Sequence, residues 1–216
     1  MKKKVDVVIV LDRSGSMKPI KSATIKGYNN YLEEQRKTEA DVTVTLVQFD
    51  DRFQVDYEAV DIKEVNKLNS DTYIPRGLTA LLDAIGKTIT ITKSRCKALK
   101  KNSKPEKTIF VIITDGYENN STKYNRRDIF NKIRKLEEKE NWEFVFLGAN
   151  QDAIQEAKNY GISAKKAMTY AFDEDGTDDM YISLGQTISA CIRGKEFEFT
   201  DEQREKQKRS PKLFRI

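Results

Sequence analysis

The sequence has no histidine. That removes the commonest general base, the commonest member of a catalytic triad and the commonest transition-metal ligand. Cysteine is scarce. Cys96 and Cys191 stand far apart without metal-ligand spacing, so reduced packing thiols are expected rather than a disulfide. No apolar run approaches the ~20 residues that span a bilayer. The chain opens Met-Lys-Lys-Lys and enters a short apolar run that stops at a charged turn, without the longer stretch and cleavage site of a signal peptide. A cytoplasmic protein with no membrane contact is expected. Any metal must be held by oxygen, which points to Mg²⁺, Mn²⁺ or Ca²⁺.

What the chain does have is charge and a few clean apolar runs. Charged residues make up 34% of the 216 positions and apolar ones 38%, enough for one α/β domain with a sizeable core. The net charge of +5 is uneven. Residues 87–107 hold eight Lys or Arg against the single Glu106, so one stretch makes the protein basic.

The first apolar run, Val5, Val7, Val8, Ile9, Val10 and Leu11, is rich in β-branched residues and suits a strand buried on both faces. It ends in Asp12, Ser14, Gly15 and Ser16, a polar turn at the strand end where open α/β sheets bind ligands. A helix is expected over 20–36, with Pro19 in its first turn. Alternation predicts strands over 41–49 and 52–60 joined by Asp50-Asp51, a hairpin that places one antiparallel strand at a sheet edge. A short helical turn is expected over 63–68. The Pro and Gly of 73–77 mark a loop, and a long helix follows Thr79, fraying past Leu99 into a basic loop.

A second buried strand, 108–114, also ends in an acidic turn, Asp115-Gly116-Tyr117-Glu118-Asn119. Next come a helix over 125–139 with Ile129, Phe130, Ile133 and Leu136 on one face, a strand over 142–147, and a helix over 153–160 closed by Gly161. A weaker strand over 164–170 precedes a last helix over 180–192, capped by Thr177 or Asp178. The acidic run 173–179 lacks EF-hand spacing and reads as a helix-capping loop rather than a calcium site. Residues 1–193 are expected to form the domain. Residues 194–216 read as a charged tail with Leu213, Phe214 and Ile216 as anchors, free to pack on the domain or to reach a partner. The alternation predicts a doubly wound, mostly parallel sheet with one antiparallel edge strand and helices on both faces.

If the strands ending at Asp12 and Asp115 are neighbours, two carboxylates meet at one sheet edge about 5 Å apart. They repel unless a positive charge sits between them. Ser14, Ser16 and Thr79 add hydroxyls, giving five oxygen donors suited to a hard cation. Taken singly, the Asp12–Ser16 turn reads as a capped turn before a helix, Thr79 as an N-cap, and 117–119 as a solvated loop.

Together the pieces resemble a known family. Asp12-Arg13-Ser14-Gly15-Ser16 resembles the D-x-S-x-S motif of von Willebrand factor A-like (integrin I-like) domains. Gly77-Leu78-Thr79-Ala80-Leu81 is similar to that family's threonine segment, and Thr114-Asp115-Gly116 to its T-D-G. The three fall in the family's order. The resemblance covers about residues 3–192 and is to small stand-alone members from bacteria and their phages. It implies a metal-ion-dependent adhesion site (MIDAS) for Mg²⁺ or Mn²⁺. Ser14 and Ser16 would coordinate directly, Asp12 and Asp115 often through water, and Thr79 according to the domain's state. It also implies a protein partner that supplies Asp or Glu to the metal, and a binding module rather than an enzyme.

Two alternatives stand beside this reading. A metal-dependent hydrolase or phosphotransferase would use the same turn, but position 14 is Ser where a second carboxylate is needed, and no G-x-S-x-G elbow or P-loop is present. A nucleic-acid-associated accessory protein would use the basic stretch 87–107, which carries no aromatic residue for base stacking.

Overall fold

A computed structural model describes residues 2–149 and 152–208. Six strands form one sheet: β1 (Lys4–Asp12), β2 (Asp41–Phe49), β3 (Phe53–Asp61), β4 (Lys107–Thr114), β5 (Trp142–Ala149) and β6 (Ala167–Tyr170). Their order is β3-β2-β1-β4-β5-β6, and only the β2–β3 pair is antiparallel. The expected doubly wound sheet with an antiparallel edge strand is therefore present. Its connections run one way from β1 to β2 and the other way from β4 to β5. The ends of β1 and β4 thus form the switch point, where ligands of such sheets bind.

The period-2 alternation of the central strands builds two cores. Val5, Val7, Ile9 and Leu11 of β1 face α1 (Lys21–Gln35) and α5 (Glu174–Ile192). Val8 and Val10 face α2 (Leu81–Ala98), α3 (Arg126–Lys139) and α4 (Ala153–Asn159). Strand β4 divides likewise, with Ile109, Val111 and Ile113 on the first side and Phe110 and Ile112 on the second. Burial on both faces is what makes these segments unbroken apolar runs. Helices α1 and α5 approach closely at Gly27, where a Cβ would run into the Tyr181 ring.

Several elements differ from expectation. The first helix begins as a 3₁₀ turn, Gly15–Ile20, that holds Pro19 and Met17. The turn expected at 63–68 is reduced to one hydrogen bond, Glu64 N–H donating to the Asp61 carbonyl; Arg36 donates to the Ile62 and Val65 carbonyls and holds that segment against α1. Phe130 is 40% exposed, because only Ile129, Ile133 and Leu136 share the i, i+4, i+7 stripe that faces the sheet. The acidic run belongs to α5 itself: Asp173 caps it by accepting from the Gly176 N–H, and Glu174 and Asp175 fill its first turn. Negative charge there suits the helix dipole. Strand β6 starts only at Ala167, after a 3₁₀ turn at Ala164–Lys166.

Beyond Gly194 the described chain packs on the domain. Phe197 and Phe199 are buried in the α1/α5 core, and α6 (Asp201–Lys206) has a capping box formed by Thr200 and Gln203. Leu213, Phe214 and Ile216 lie outside the described residues. Among the described residues no helix is long and apolar enough to cross a membrane.

Candidate metal centre

Register fixes the site. Leu11 of β1 lies opposite Ile113 of β4, so Asp12 stands beside Thr114, and Asp115 follows as the chain leaves the sheet. Asp12 is fully buried. Its Oδ1 accepts from the Ser14 N–H at 2.6 Å, and its Oδ2 accepts from the Thr114 hydroxyl at 2.6 Å. Among the described residues, no Lys or Arg pairs with it. Burial pushes its pKa up to about 7; the Thr114 and Ser14 hydrogen bonds pull it down and the nearby Asp115 charge raises it further.

From there the polar groups form a chain. The Ser14 and Ser16 hydroxyls are 3.0 Å apart, and Ser16 Oγ donates to Asp115 Oδ1 at 2.8 Å. Burial also raises the Asp115 pKa, with the Ser16 hydrogen bond opposing it. Thr79 is buried, and its hydroxyl and that of Ser16 both border Gly116: a Cβ on that glycine would lie 3.4 Å from Thr79 Oγ1 and 3.5 Å from Ser16 Oγ. Ser16 is the exposed member of the set. Asp12, Ser14, Ser16, Thr79 and Asp115 are thus brought together at one edge, open to solvent on the Ser16 side.

The capping readings are not realised. Ser14 precedes the 3₁₀ turn, but its hydroxyl caps no backbone amide, and α2 is preceded by Ala80 rather than capped by Thr79. Both hydroxyls therefore remain with the site. The α2 amides are served from the loop after β4: Leu82 N–H donates to Glu118 and Asp83 N–H to Ser121. Glu118 also accepts from the amides of Asn120 and Ser121. Asn119 exchanges two bonds with the Thr79 backbone, its Oδ1 accepting at 2.9 Å and its N–H donating at 3.1 Å. Residues 118 and 119 are therefore tied to the threonine loop rather than merely solvated. Only a Glu-Asn pair just after the T-D-G segment signals this in the sequence.

Other groups set the loop's position. Tyr73 donates its hydroxyl to the Asp12 carbonyl at 2.7 Å, and Gly15 N–H donates to the Gly77 carbonyl at 3.1 Å. Gly77 has φ +66° and abuts the Asp51 carboxylate, so no larger residue fits there. Arg13, inside the motif, is turned away: its Nε bonds Asp50 Oδ2 at 3.0 Å, which also accepts from Arg76 at 3.0 Å.

The donor set is all oxygen, with two carboxylates and three hydroxyls. It fits a hard divalent cation, because buried carboxylates that share no cation are the groups such an ion neutralises. Among the described residues no cluster of three or more His, Cys, Asp or Glu offers a different metal site.

The sequence matches the von Willebrand factor type A domain family over residues 6–181. The chain belongs to that family. This vWA domain also resembles solved structures. One is proximal thread matrix protein 1 from the mussel byssus, at 16% identity and TM-score 0.59 over 87% of this chain and 47% of that one. A form of that mussel protein with a zinc-occupied MIDAS motif matches at 17% identity and TM-score 0.57, over 87% of this chain and 46% of that one. A von Willebrand factor type A protein from Catenulispora acidiphila matches at 17% and 0.57, over 90% of this chain and 44% of that one. This chain spans less than half the length of these neighbours, and the likeness is one of fold. No curated protein matches the sequence.

The remaining candidates do not gather at the site. Within the basic stretch, Lys93 pairs with Glu140, Arg95 with Asp6 and Glu58, and Lys107 with Glu143, so part of its charge is consumed inside the molecule. Cys191 is buried and Cys96 half-buried. Burial pushes the Cys96 thiol up, which suits packing rather than nucleophilic attack.

Proposed function

We propose that this vWA domain is a divalent-metal-dependent protein-binding module. Asp12, Ser14, Ser16, Thr79 and Asp115 hold the ion, Mg²⁺ in the first instance with Mn²⁺ or Ca²⁺ as substitutes, and a partner Asp or Glu completes its sphere. The observation that carries this reading is the buried Asp12–Asp115 pair, joined through the serine hydroxyls with, among the described residues, no cation of the protein's own. When bound, the ion supplies the missing positive charge and a position open to an outside oxygen. The chain's residues supply neutral hydroxyls beside the two carboxylates, and Asn119 and Tyr73 hold the loops that present them.

The rim favours a protein partner. Among the described residues, two large exposed hydrophobics, Leu78 and Tyr117, stand next in sequence to Thr79 and Gly116. Exposed apolar side chains around a polar centre are the anchors of an interface. A binding rather than catalytic role is part of the proposal, in keeping with a chain that has no histidine. A cytoplasmic setting remains part of the proposal.

Thermal unfolding in chelator and in excess Mg²⁺, Mn²⁺ or Ca²⁺ tests the metal. An ion at about 100 times its Kd adds about 2.7 kcal/mol, or roughly 5–10 °C for a domain this size. The shift should vanish in Asp115→Ala. No shift with any of the three ions sinks the reading.

A further inference from the structure

A cavity of 270 Å³ opens beside the metal centre, on the α2 side of the sheet. Two of its lining residues, Ala80 and Asn120, directly follow Thr79 and Asn119, whose backbones are bonded to each other. The cavity therefore begins one residue from the site. Its walls carry Arg52, Lys87 and Lys123 against Asp51 and Asp83.

Of the two carboxylates, Asp83 is already engaged. Asp83 Oδ1 accepts from the Lys123 and Tyr124 amides at 2.9 and 3.0 Å, while its Oδ2 stands 3.9 Å from Lys87 Nζ. The Asp51 carboxylate abuts Gly77. The cations are less committed. The Lys87 ammonium sits 5.4 Å from the centre of the Phe53 ring, which helps fix its place. Among the described residues, the Arg52 and Lys123 side chains make no ion pair. A preformed hollow with surplus positive charge and an aromatic wall, adjoining a site that calls for a carboxylate, has the form of a second anchor point.

We propose that this cavity is an anion-binding subsite that takes a second acidic side chain of the partner, close in space to the carboxylate that reaches the metal. It rests on the metal-dependent reading above and adds a specificity element to it. The shared chemistry is an oxyanion, whether a carboxylate or a phosphorylated hydroxyl. The partner surface is thus acidic at two points with apolar contacts between them, rather than a lone Asp or Glu.

The test uses the whole ¹⁵N-labelled chain in chelator, titrated with inorganic phosphate, then benzoate and phenyl phosphate, and followed by amide shifts. Saturable shifts should centre on residues 52–53, 80–84 and 120–123. The apparent affinity should fall about tenfold in Lys87→Ala/Lys123→Ala, as expected when charge-assisted hydrogen bonds are lost. Arg52→Ala, an exposed change, should weaken binding with unaltered shifts elsewhere and so guards against a folding defect in the double variant. Tighter phenyl phosphate assigns a phosphorylated side chain, and tighter benzoate a carboxylate. Shifts that scatter over residues 97–104, that do not saturate, or that survive these substitutions overturn the subsite. Mn²⁺ broadening at residues 12–16, read in a separate chelator-free sample, reports the metal site independently. Its absence alongside saturable phosphate binding would bring down the metal reading and leave the anion cavity standing.

Discussion

The two ends of β1 each bury an aspartate on the same side of the sheet, and the two are held in opposite ways. Asp6, at the start of the strand, is fully buried with Arg95 Nη2 2.6 Å from Oδ2 and the Thr43 hydroxyl 2.9 Å from Oδ1. Asp12, at its end, is as deeply buried but, among the described residues, is met by hydroxyl and amide groups without an ion pair. Asp50, also buried, takes both Arg13 and Arg76. Cations are therefore at hand on every side, and one of them, Arg13, is the residue next to Asp12. The lack of a cation at Asp12 is local and specific. A buried carboxylate neutralised from within is part of the scaffold; one that is not neutralised awaits a charge from outside.

The contrast can be broken from the Asp6 end with the largest expected effect. Arg95→Ala strands a buried carboxylate and should destabilise the fold by about 3–5 kcal/mol. The midpoint of urea unfolding reports it, and the loss should be the same with Mg²⁺ or chelator present. A loss under about 1 kcal/mol would place Asp6 among groups that water reaches, and the contrast would dissolve.

At the Asp12 end the sign should reverse. Asp12→Asn keeps the shape, its Oδ1 still accepting from Ser14, while its amide donates to Thr114 Oγ1. It removes a charge that burial disfavours, so in chelator near pH 8 the variant should be more stable than the parent by about 2 kcal/mol. In Mg²⁺ it should lose the metal-induced gain. An Asp12→Asn protein that is less stable than the parent in chelator would show the carboxylate to be structural, like Asp6.

These two aspartates also show how far a sequence can be read. The strands were legible because burial on both faces demands unbroken β-branched runs, and such runs stand out. Asp12, Ser14, Ser16, Thr79 and Asp115 were singled out because their three segments resemble, in order, those of vWA domains, and the fold brings the five side chains to one sheet edge. Asp6 was not, because its partner lies on α2, 89 residues away, and only the crossing of that helix over the sheet brings Arg95 near. Phe130 misled for a related reason: an apolar residue beside a stripe looks like part of it until the helix is docked. The start of α5 was hidden because an acidic run scores as solvated loop, although the same charges suit a helix's first turn. Phe197 and Phe199 were hidden among flanking glutamates and lysine in a segment whose overall composition is that of a tail.

The smallest expected effect concerns what lies between the two carboxylates. Asn119 reaches the site through the Thr79 backbone, and its two bonds there set where that hydroxyl stands relative to Ser16. Asn119 is itself exposed, so its loss should cost the metal-free fold no more than about 1 kcal/mol. Groups that orient metal-holding residues matter more for the ion than for the fold, and Asn119→Ala should weaken Mn²⁺ binding by about tenfold by calorimetry. Asn119→Asp, which keeps the oxygen that accepts from Thr79 N–H, should restore most of it. Asn120→Ala, one residue further from Thr79's partner, should leave it unchanged. If Asn119→Ala binds Mn²⁺ as the parent does, the threonine loop is held well enough by its backbone bonds to Arg13, Gly15 and Asp50, and the loop after β4 serves α2 rather than the ion.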